Sequence, residues 1–430
     1  MITIPSEISP IITQLHSNNA HPILVGGFVR DSIMGNDCKD LDIEVYGLND
    51  IQSLREILNS FSVTDVVGQS FGVLKLSTAN YHLDIALPRT EIKTGPGHRG
   101  FEVSHSDTLD FKTAASRRDF TINSIGYDPI SESILDPFDG QEDIKNKLLR
   151  AIGPAFMEDP LRVFRAMQFA GRFGFDIHPE TIELCKQMPL HELPKERIYE
   201  EFKKLFLKAE YPSKGLKYLP ELGISSRLSP LHTVSENKQY WESLLYSADT
   251  LVSLMPDRSF LTIQLMLCLF GIFIYELNND IGPCQLFLSK LTDERALQPL
   301  YLSLIQHYQS IERLYQNQDS NQIDSEIRRL SLNLPFPQLH TLSLAVYSGK
   351  SGSSVAIDYP ALNWVSLRAK ELNVYDSPPS PLVSGKDLQA LNVPEGPQIG
   401  RLIDAAFQEQ LDGNIHTKDD AIQWIKNSLT

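Results

Sequence analysis

Short apolar runs separated by turn residues fill residues 22–150, and the spacing of the apolar positions changes near Pro160. Residues 22–26, 41–46, 73–76 and 81–86 read as strands bounded by Gly, Asp or Asn. Helices are expected after Gly27 and over about 50–60, so this region mixes strand and helix around one sheet. Beyond Pro160 the period is 3.6: Leu161, Phe164, Met167 and Phe169 begin it, and Ile198, Phe202, Leu205 and Phe206 continue it. Pro154, Pro160, Pro179, Pro189, Pro194 and Pro212 fall at its helix boundaries. Residues 226–350 also read as helical. Ser/Gly/Pro-rich stretches at 351–354 and 377–381 flank a short helix, and a compact piece follows over 383–430. The pattern predicts an α+β head followed by all-α segments.

A chain of 430 residues is too long for one core, and roughly 150 residues per domain suggests about three. Cys38, Cys185, Cys268 and Cys284 form no CxxC pair, which indicates neither a disulfide framework nor a zinc site and fits a reducing cytoplasm. The N-terminus shows no secretory signal pattern. The longest apolar run, 265–275, is too short to span a bilayer and reads as a buried helix, so no membrane partner is expected. The formal charge of −15 argues against a nucleic-acid partner only weakly, because the field at the binding face is what matters. Between Lys195 and Lys217 seven Lys/Arg face four Glu, a local surplus of +3 that suits either RNA contact or a solvated helix face.

Chemistry concentrates early. In Val25-Gly26-Gly27-Phe28-Val29-Arg30-Asp31, two glycines between a strand and a helix let backbone N–H groups approach a phosphate, with Arg30 one turn away. A tight turn that binds nothing would read the same. In Asp40-Leu41-Asp42, carboxylates at i and i+2 share one strand face, and like charges so placed call for a cation. Hard oxygen ligands suit Mg²⁺. Asp84, on a nearby strand, supplies the third acidic group that a two-metal phosphoryl-transfer site needs.

Gly26-Gly27-x-Val29-Arg30-Asp31 followed by Asp40-x-Asp42 resembles motif A of the class II tRNA nucleotidyltransferase and poly(A) polymerase family, within the DNA polymerase β superfamily. In the same order, Arg117-Arg118-Asp119-Phe120-Thr121-Ile122-Asn123 resembles motif B, Leu135-Asp136-Pro137-Phe138-Asp139-Gly140 motif C, and Glu158-Asp159-Pro160-Leu161-Arg162 motif D. The resemblance implies that Asp40 and Asp42 are metal ligands and catalytic together with Asp84. It implies that Gly26, Gly27 and Arg30 hold the triphosphate and that Arg118 contacts ribose or phosphate. Asp159 and Arg162 would pair with the edge of C or A, with Arg165 within reach of the same pocket. Gln168 stands where many relatives carry another Arg and is left out of the site. Some bacterial relatives also have a His-Asp phohydrolase-type domain marked by Cys-His-Asp-Leu-Gly. The corresponding stretch here, Leu267-Cys268-Leu269-Phe270-Gly271-Ile272, has apolar residues that cannot ligate a metal.

The resulting expectation is a polymerase-β-like nucleotidyltransferase head (1–149), a helical neck that reads the base (150–225), a helical body with a degenerate His-Asp-like domain (226–350) and a helical tail that holds tRNA (351–430). The partners would be the tRNA 3′ acceptor end, CTP and ATP, with Mg²⁺, and the product CCA. A Gly- and Lys-rich interval at 88–100, continuing to 115, favours complete CCA or A-only addition over CC-only, although an ordinary hairpin loop fits the same residues. The alternatives are an A-adding enzyme or poly(A) polymerase, and an RNA-binding protein with a vestigial transferase site. Oligomeric state is left open.

Overall fold

The computed structural model describes residues 2–61, 63–64, 73–93, 101–105 and 109–429, and of 63–64, 89–93 and 101–105 the backbone alone. By internal contacts the chain divides into two compact units. The first comprises residues 1–205 and 214–227, the second residues 206–213 and 228–430.

The first unit is built on a seven-stranded sheet of order β3-β4-β5-β2-β1-β8-β9. Its strands are β1 (His21–Val25), β2 (Asp40–Tyr46), β3 (Val63–Thr64), β4 (Val73–Ser77), β5 (His82–Ala86), β8 (Gly126–Asp128) and β9 (Ser133–Leu135); β6 (Arg89–Lys93) and β7 (Phe101–His105) pair separately. All neighbours are antiparallel except β2 and β5, which run parallel with Asp42 opposite Asp84. A parallel pair needs a crossover, and here the crossover carries a helix and the β3–β4 hairpin. The four strands expected from the apolar pattern all form. β3, β8 and β9 add to them, each only two or three residues long and too short to leave a period-2 signal.

Alternation on β2 decides the layering. Leu41, Ile43 and Val45 are at most 1% exposed and join Leu24, Leu83 and Ile85 in the core beneath the sheet. Asp40, Asp42 and Glu44 therefore share the other face.

Helix α1 (Ser9–Ser17) covers the core side, α2 (Gly27–Ile33) follows β1, and α3 (Ile51–Ile57) is capped by Asp50, whose carboxylate accepts from Ser53 N–H. A short α4 (Phe111–Ala115) and α5 (Gly140–Lys145) precede α6 (Leu161–Phe173), α7 (Pro179–Lys186) and α8 (Lys195–Lys208). Gly171 of α6 and Gly215 lie in backbone contact: a Cβ on Gly215 would sit 2.4 Å from the Met167 carbonyl oxygen.

β6 and β7 form an antiparallel ladder from Arg89–His105 to Lys93–Phe101. Residues 94–100 between them, the centre of the interval that bears on product length, lie outside the described residues.

The second unit is helical throughout its described residues. Its central helix, Phe260–Asn278, is longer than the apolar run at 265–275 suggested, and its 19 residues would suffice to cross a membrane by length and composition. It is instead a core helix: Leu265 to Ile274 are buried without a break. Leu269 and Phe270 are fully enclosed, and a Cβ on Gly271 would meet Ile305 at 2.3 Å. The stretch 267–272, aligned by the expectation with a metal-binding run, is packed core. The expected short helix is Pro360–Glu371. At the C-terminal end, helices Gly385–Ala390, Pro397–Asp412 and Lys418–Leu429 close around a small core of their own that includes Val383, Leu388, Ala406 and Ile425.

Candidate active site

β1 ends at Val25, directly beside Asp42 on β2. Gly26 then turns at φ +70°, and a Cβ there would lie 2.9 Å from Asp42 Oδ2. Backbone sign and space both require glycine at this position. At Gly27 the space is ordinary: a Cβ would meet Arg30 at 3.6 Å.

Asp42 opens onto a cavity of about 290 Å³ lined by Asp84, Glu44, Arg117, Arg118 and Arg162 together with apolar wall residues. Desolvation raises the Asp42 carboxyl to about 6; Arg118 pulls it down, and Asp84, Glu44 and Asp40 push it further up. Asp84 shares an ion pair with Lys75, its cross-strand neighbour, at 3.3 Å. Asp40 is exposed on the same face of β2 but does not line the cavity.

Glu44 is the residue that the sequence reading missed. It is 4% exposed and accepts bonds from Arg118 at 2.8 Å, Arg117 at 3.1 Å and the Tyr46 hydroxyl at 3.0 Å. Burial pushes its carboxyl up, but Arg118 and Arg117 outweigh this and hold it below its usual value. Arg118 also donates to the Asn123 carbonyl at 2.9 Å, so its fork is fixed beside Asp42. The signal was available, since Glu44 continues the alternation of Asp40 and Asp42.

Arg30, expected at the triphosphate, is enclosed in this structure. Its guanidinium is buried, donates to Asp31 at 2.8 Å and to Asn123 Oδ1 at 2.6 Å, and lies over the Phe173 ring at 4.5 Å. It thereby braces α2 against the turn at Thr121–Asn123 and against α6.

Motif B is a hub. Asp119 is buried and accepts from Arg165 at 2.7 Å, Asn123 Nδ2 at 2.8 Å and the Phe120 N–H at 2.8 Å. Burial raises its carboxyl, while Arg165 and the Asn123 bond more than reverse that, leaving it lowered. Motif C supports the hub from behind. Asp136 accepts from Gly140 and Gln141 N–H, and a Cβ on Gly140 would strike the Thr121 carbonyl oxygen at 2.4 Å.

Motif D is divided. Arg162 lines the cavity and donates to the carbonyls of Ala155 at 2.7 Å and Arg117 at 2.5 Å. Asp159 does not line it: its carboxylate caps the first turn of α6 by accepting from Leu161 N–H at 3.0 Å and pairs with Arg197 of α8 at 2.9 Å. Arg165 faces Asp119 and packs over Phe169, and it too lies outside the cavity lining. The structure therefore gathers Asp42, Asp84, Arg118 and Arg162 in one place, with Asp40 at its edge.

The donor set suits a divalent cation. Asp42 and Asp84 stand opposite on adjacent strands, and Asp40 shares their face. The described residues contain no cluster of three or more His, Cys, Asp or Glu already arranged as a metal cage.

Sheet, glycine turn and acidic face together define a nucleotidyltransferase-type head. Residues 23–150 match the family described as poly A polymerase head domain, and residues 174–235 match the one described as a probable RNA and SrmB-binding site of polymerase A. The family to which the four motifs point is the family these matches return. Multifunctional CCA proteins of Nitrosococcus oceani and Aliivibrio salmonicida are 37% identical over 212 residues and 39% identical over 214, each alignment covering 48% of this chain and 50% of the relative. The chain thus spans about half the length of the curated relatives it matches. Among solved structures, the Bacillus stearothermophilus CCA-adding enzyme in complex with CTP superposes with a TM-score of 0.71 at 21% identity, covering 99% of this chain and 98% of that one. The Thermotoga maritima CCA-adding enzyme complexed with tRNA gives 0.69 at 19%, covering 99% and 97%. At such identities the likeness defines the fold.

Proposed function

We propose that this chain is a CCA-adding tRNA nucleotidyltransferase: the 3′-hydroxyl of a tRNA attacks the α-phosphate of CTP or ATP and pyrophosphate leaves. The observation that carries this reading is the Asp42–Asp84 pair facing Arg118 and Arg162 across one cavity. Asp40, Asp42 and Asp84 would hold Mg²⁺, which when bound supplies charge neutralisation and a lowered hydroxyl pKa.

The chain's own residues do the rest. Glu44 fixes Arg118, whose fork is then aimed at phosphate or ribose oxygens. The backbone at Gly26 and Gly27 leaves room for the triphosphate. Arg162 donates to a base or phosphate from the neck side. Asp159 and Arg165 are now engaged with Arg197 and Asp119, so base reading through them requires those partners to be exchanged for the nucleotide. The four free thiols accord with a cytoplasmic setting.

The test is incorporation from labelled CTP and from labelled ATP on a tRNA lacking all three terminal nucleotides and on one ending in CC. Uptake of CTP then ATP on the first tRNA is expected. Label from ATP alone would instead indicate A-only addition or polyadenylation. No uptake from either nucleotide would leave the vestigial-site reading.

A further inference from the structure

The second unit holds a cavity of about 440 Å³, larger than the one at Asp42. Its walls come mainly from three helices and the residue that precedes a fourth. Ser343, Tyr347 and Lys350 lie at i, i+4 and i+7 on one face of Phe336–Lys350, opposite Glu276 of Phe260–Asn278, with Arg313 of Ser310–Gln316 and Tyr359 before Pro360–Glu371 completing it. Tyr347 and Tyr359 stack with ring centroids 3.9 Å apart and planes 1° from parallel. The Glu276 side chain is 8% exposed; one of its oxygens accepts from the Tyr308 hydroxyl and from Lys350. Its other oxygen, Oε2, is buried with no hydrogen-bond partner among the described residues, and so is Ser343 Oγ. Both residues line the cavity. An unpaired buried carboxylate oxygen costs on the order of 1–3 kcal/mol, and side chains that carry such a cost inside a ligand-sized cavity mark a site.

We propose that this cavity binds a nucleobase, as a second ribonucleotide site separate from the transferase centre. A base N–H donates to Glu276 Oε2. The ring nitrogen or carbonyl beside it accepts from the Ser343 hydroxyl, a donor–acceptor pair that every base offers and a bare sugar phosphate lacks. The tyrosines offer a face for stacking, which aromatic side chains provide to unstacked bases. Lys350, 40% exposed at the side chain, and Arg313 sit where the attached phosphate would follow. The same chemistry is presented by a free nucleotide and by an unpaired nucleotide of an RNA. The proposal does not depend on the transferase reading, since no residue of the first unit takes part.

The experiment uses the full chain in EDTA. AMP, ribose 5-phosphate and a short oligoadenylate are titrated, and 8-azido-AMP and 8-azidoadenosine-containing RNA are crosslinked with peptide mapping. AMP or oligoadenylate is expected to bind at least about fivefold more tightly than ribose 5-phosphate, and label is expected in the peptides carrying Tyr347 or Tyr359. Tighter binding of AMP indicates a free nucleotide, and tighter binding of oligoadenylate an RNA. Glu276→Gln and Lys350→Ala should each weaken binding about fivefold to tenfold, measured well below the thermal midpoint of each variant because both break an enclosed ion pair, while Asp42→Asn leaves binding unaltered. Label confined to the first unit, equal binding of AMP and ribose 5-phosphate, or binding indifferent to both variants in folded protein would overturn the proposal.

Discussion

The two units bury different things. Among the described residues the first encloses Arg30, Asp31, Glu44, Asp119, Asp128, Asp143 and Glu201, whereas in the second the only charged residue in the same class is Asp249 and the other buried polar residues are Ser and Thr. Buried ion pairs are weak sources of stability, because desolvation offsets much of the attraction, yet breaking one is costly. A region that retains several is therefore under a constraint other than stability. In the first unit that constraint is the orientation of Arg118 and Arg165. The second unit, around Phe260–Asn278, rests chiefly on apolar packing, and of its buried polar residues Asp249 is held by Ser213 while Ser343 lines the cavity with Glu276.

That contrast can be broken by substitution. The largest effect is expected at Asp42. Asp42→Ala should lower nucleotide incorporation by about a thousandfold or more with tRNA binding nearly intact, measured by single-turnover labelling and filter binding. Phe270→Ala, deep in the second unit, should leave the rate of the folded fraction within about twofold. If the two variants lose activity equally, the acidic face is not the transferase centre.

Next come the bracing charges. Glu44→Ala removes the carboxylate that Arg117 and Arg118 share and should cost about 3–5 kcal/mol in urea denaturation, similar to the roughly 3–5 kcal/mol for Phe270→Ala, but the two should separate in the unit that melts. Limited proteolysis during the transition would show whether they do.

Asp119 makes the comparison depend on pH. Its carboxyl titrates below the ordinary value in the folded chain, so its stabilising effect is fully present above the unfolded carboxylate range and is lost as pH falls through the folded value. Asp119→Asn should destabilise by about 3 kcal/mol at pH 7, and the gap between the variant and the wild type should close below about pH 4. A gap independent of pH would mean that shape, not charge, accounts for the loss.

The smallest effect is expected at Gln168, buried in α6 with its Nε2 unpartnered among the described residues. Gln168→Leu should change stability by less than about 1 kcal/mol, in either direction. A loss above about 2 kcal/mol would show that the amide is bonded in solution.

Much of this was legible in the residues. Alternation on β2 placed Leu41 and Ile43 in the core and the carboxylates opposite, and the glycine turn located the strand end. Strand spacing could not say which strand would pair with β2, so the placement of Asp84 beside Asp42 had to come from the fold. The enclosure of Arg30 was hidden for a related reason. A cation next to a phosphate-type turn looks available until the residues that enclose it, Asn123 and Phe173, are brought from 93 and 143 positions away. Glu44 was overlooked although its spacing announced it, because a single strand does not reveal that two arginines will fold over its far end. Asp159 illustrates the opposite case: its capping role was local and readable, and its partner Arg197 was not.

The small C-terminal core has a consequence for how the chain opens. Val383, Leu388, Ala406 and Ile425 pack among themselves, and Pro397–Asp412 is joined to the neighbouring helix Ile323–Ser331 by polar bonds such as Arg329–Asp412 at 2.7 Å and Arg328 to the Leu411 carbonyl at 3.1 Å, beside the buried Leu411 side chain. Exposed ion pairs of this kind hold little free energy and are screened by salt. Residues 383–429 should therefore behave as a foldon, exchanging their amide hydrogens through a local opening that becomes easier as ionic strength rises, while the helix Phe260–Asn278 exchanges only when its unit unfolds.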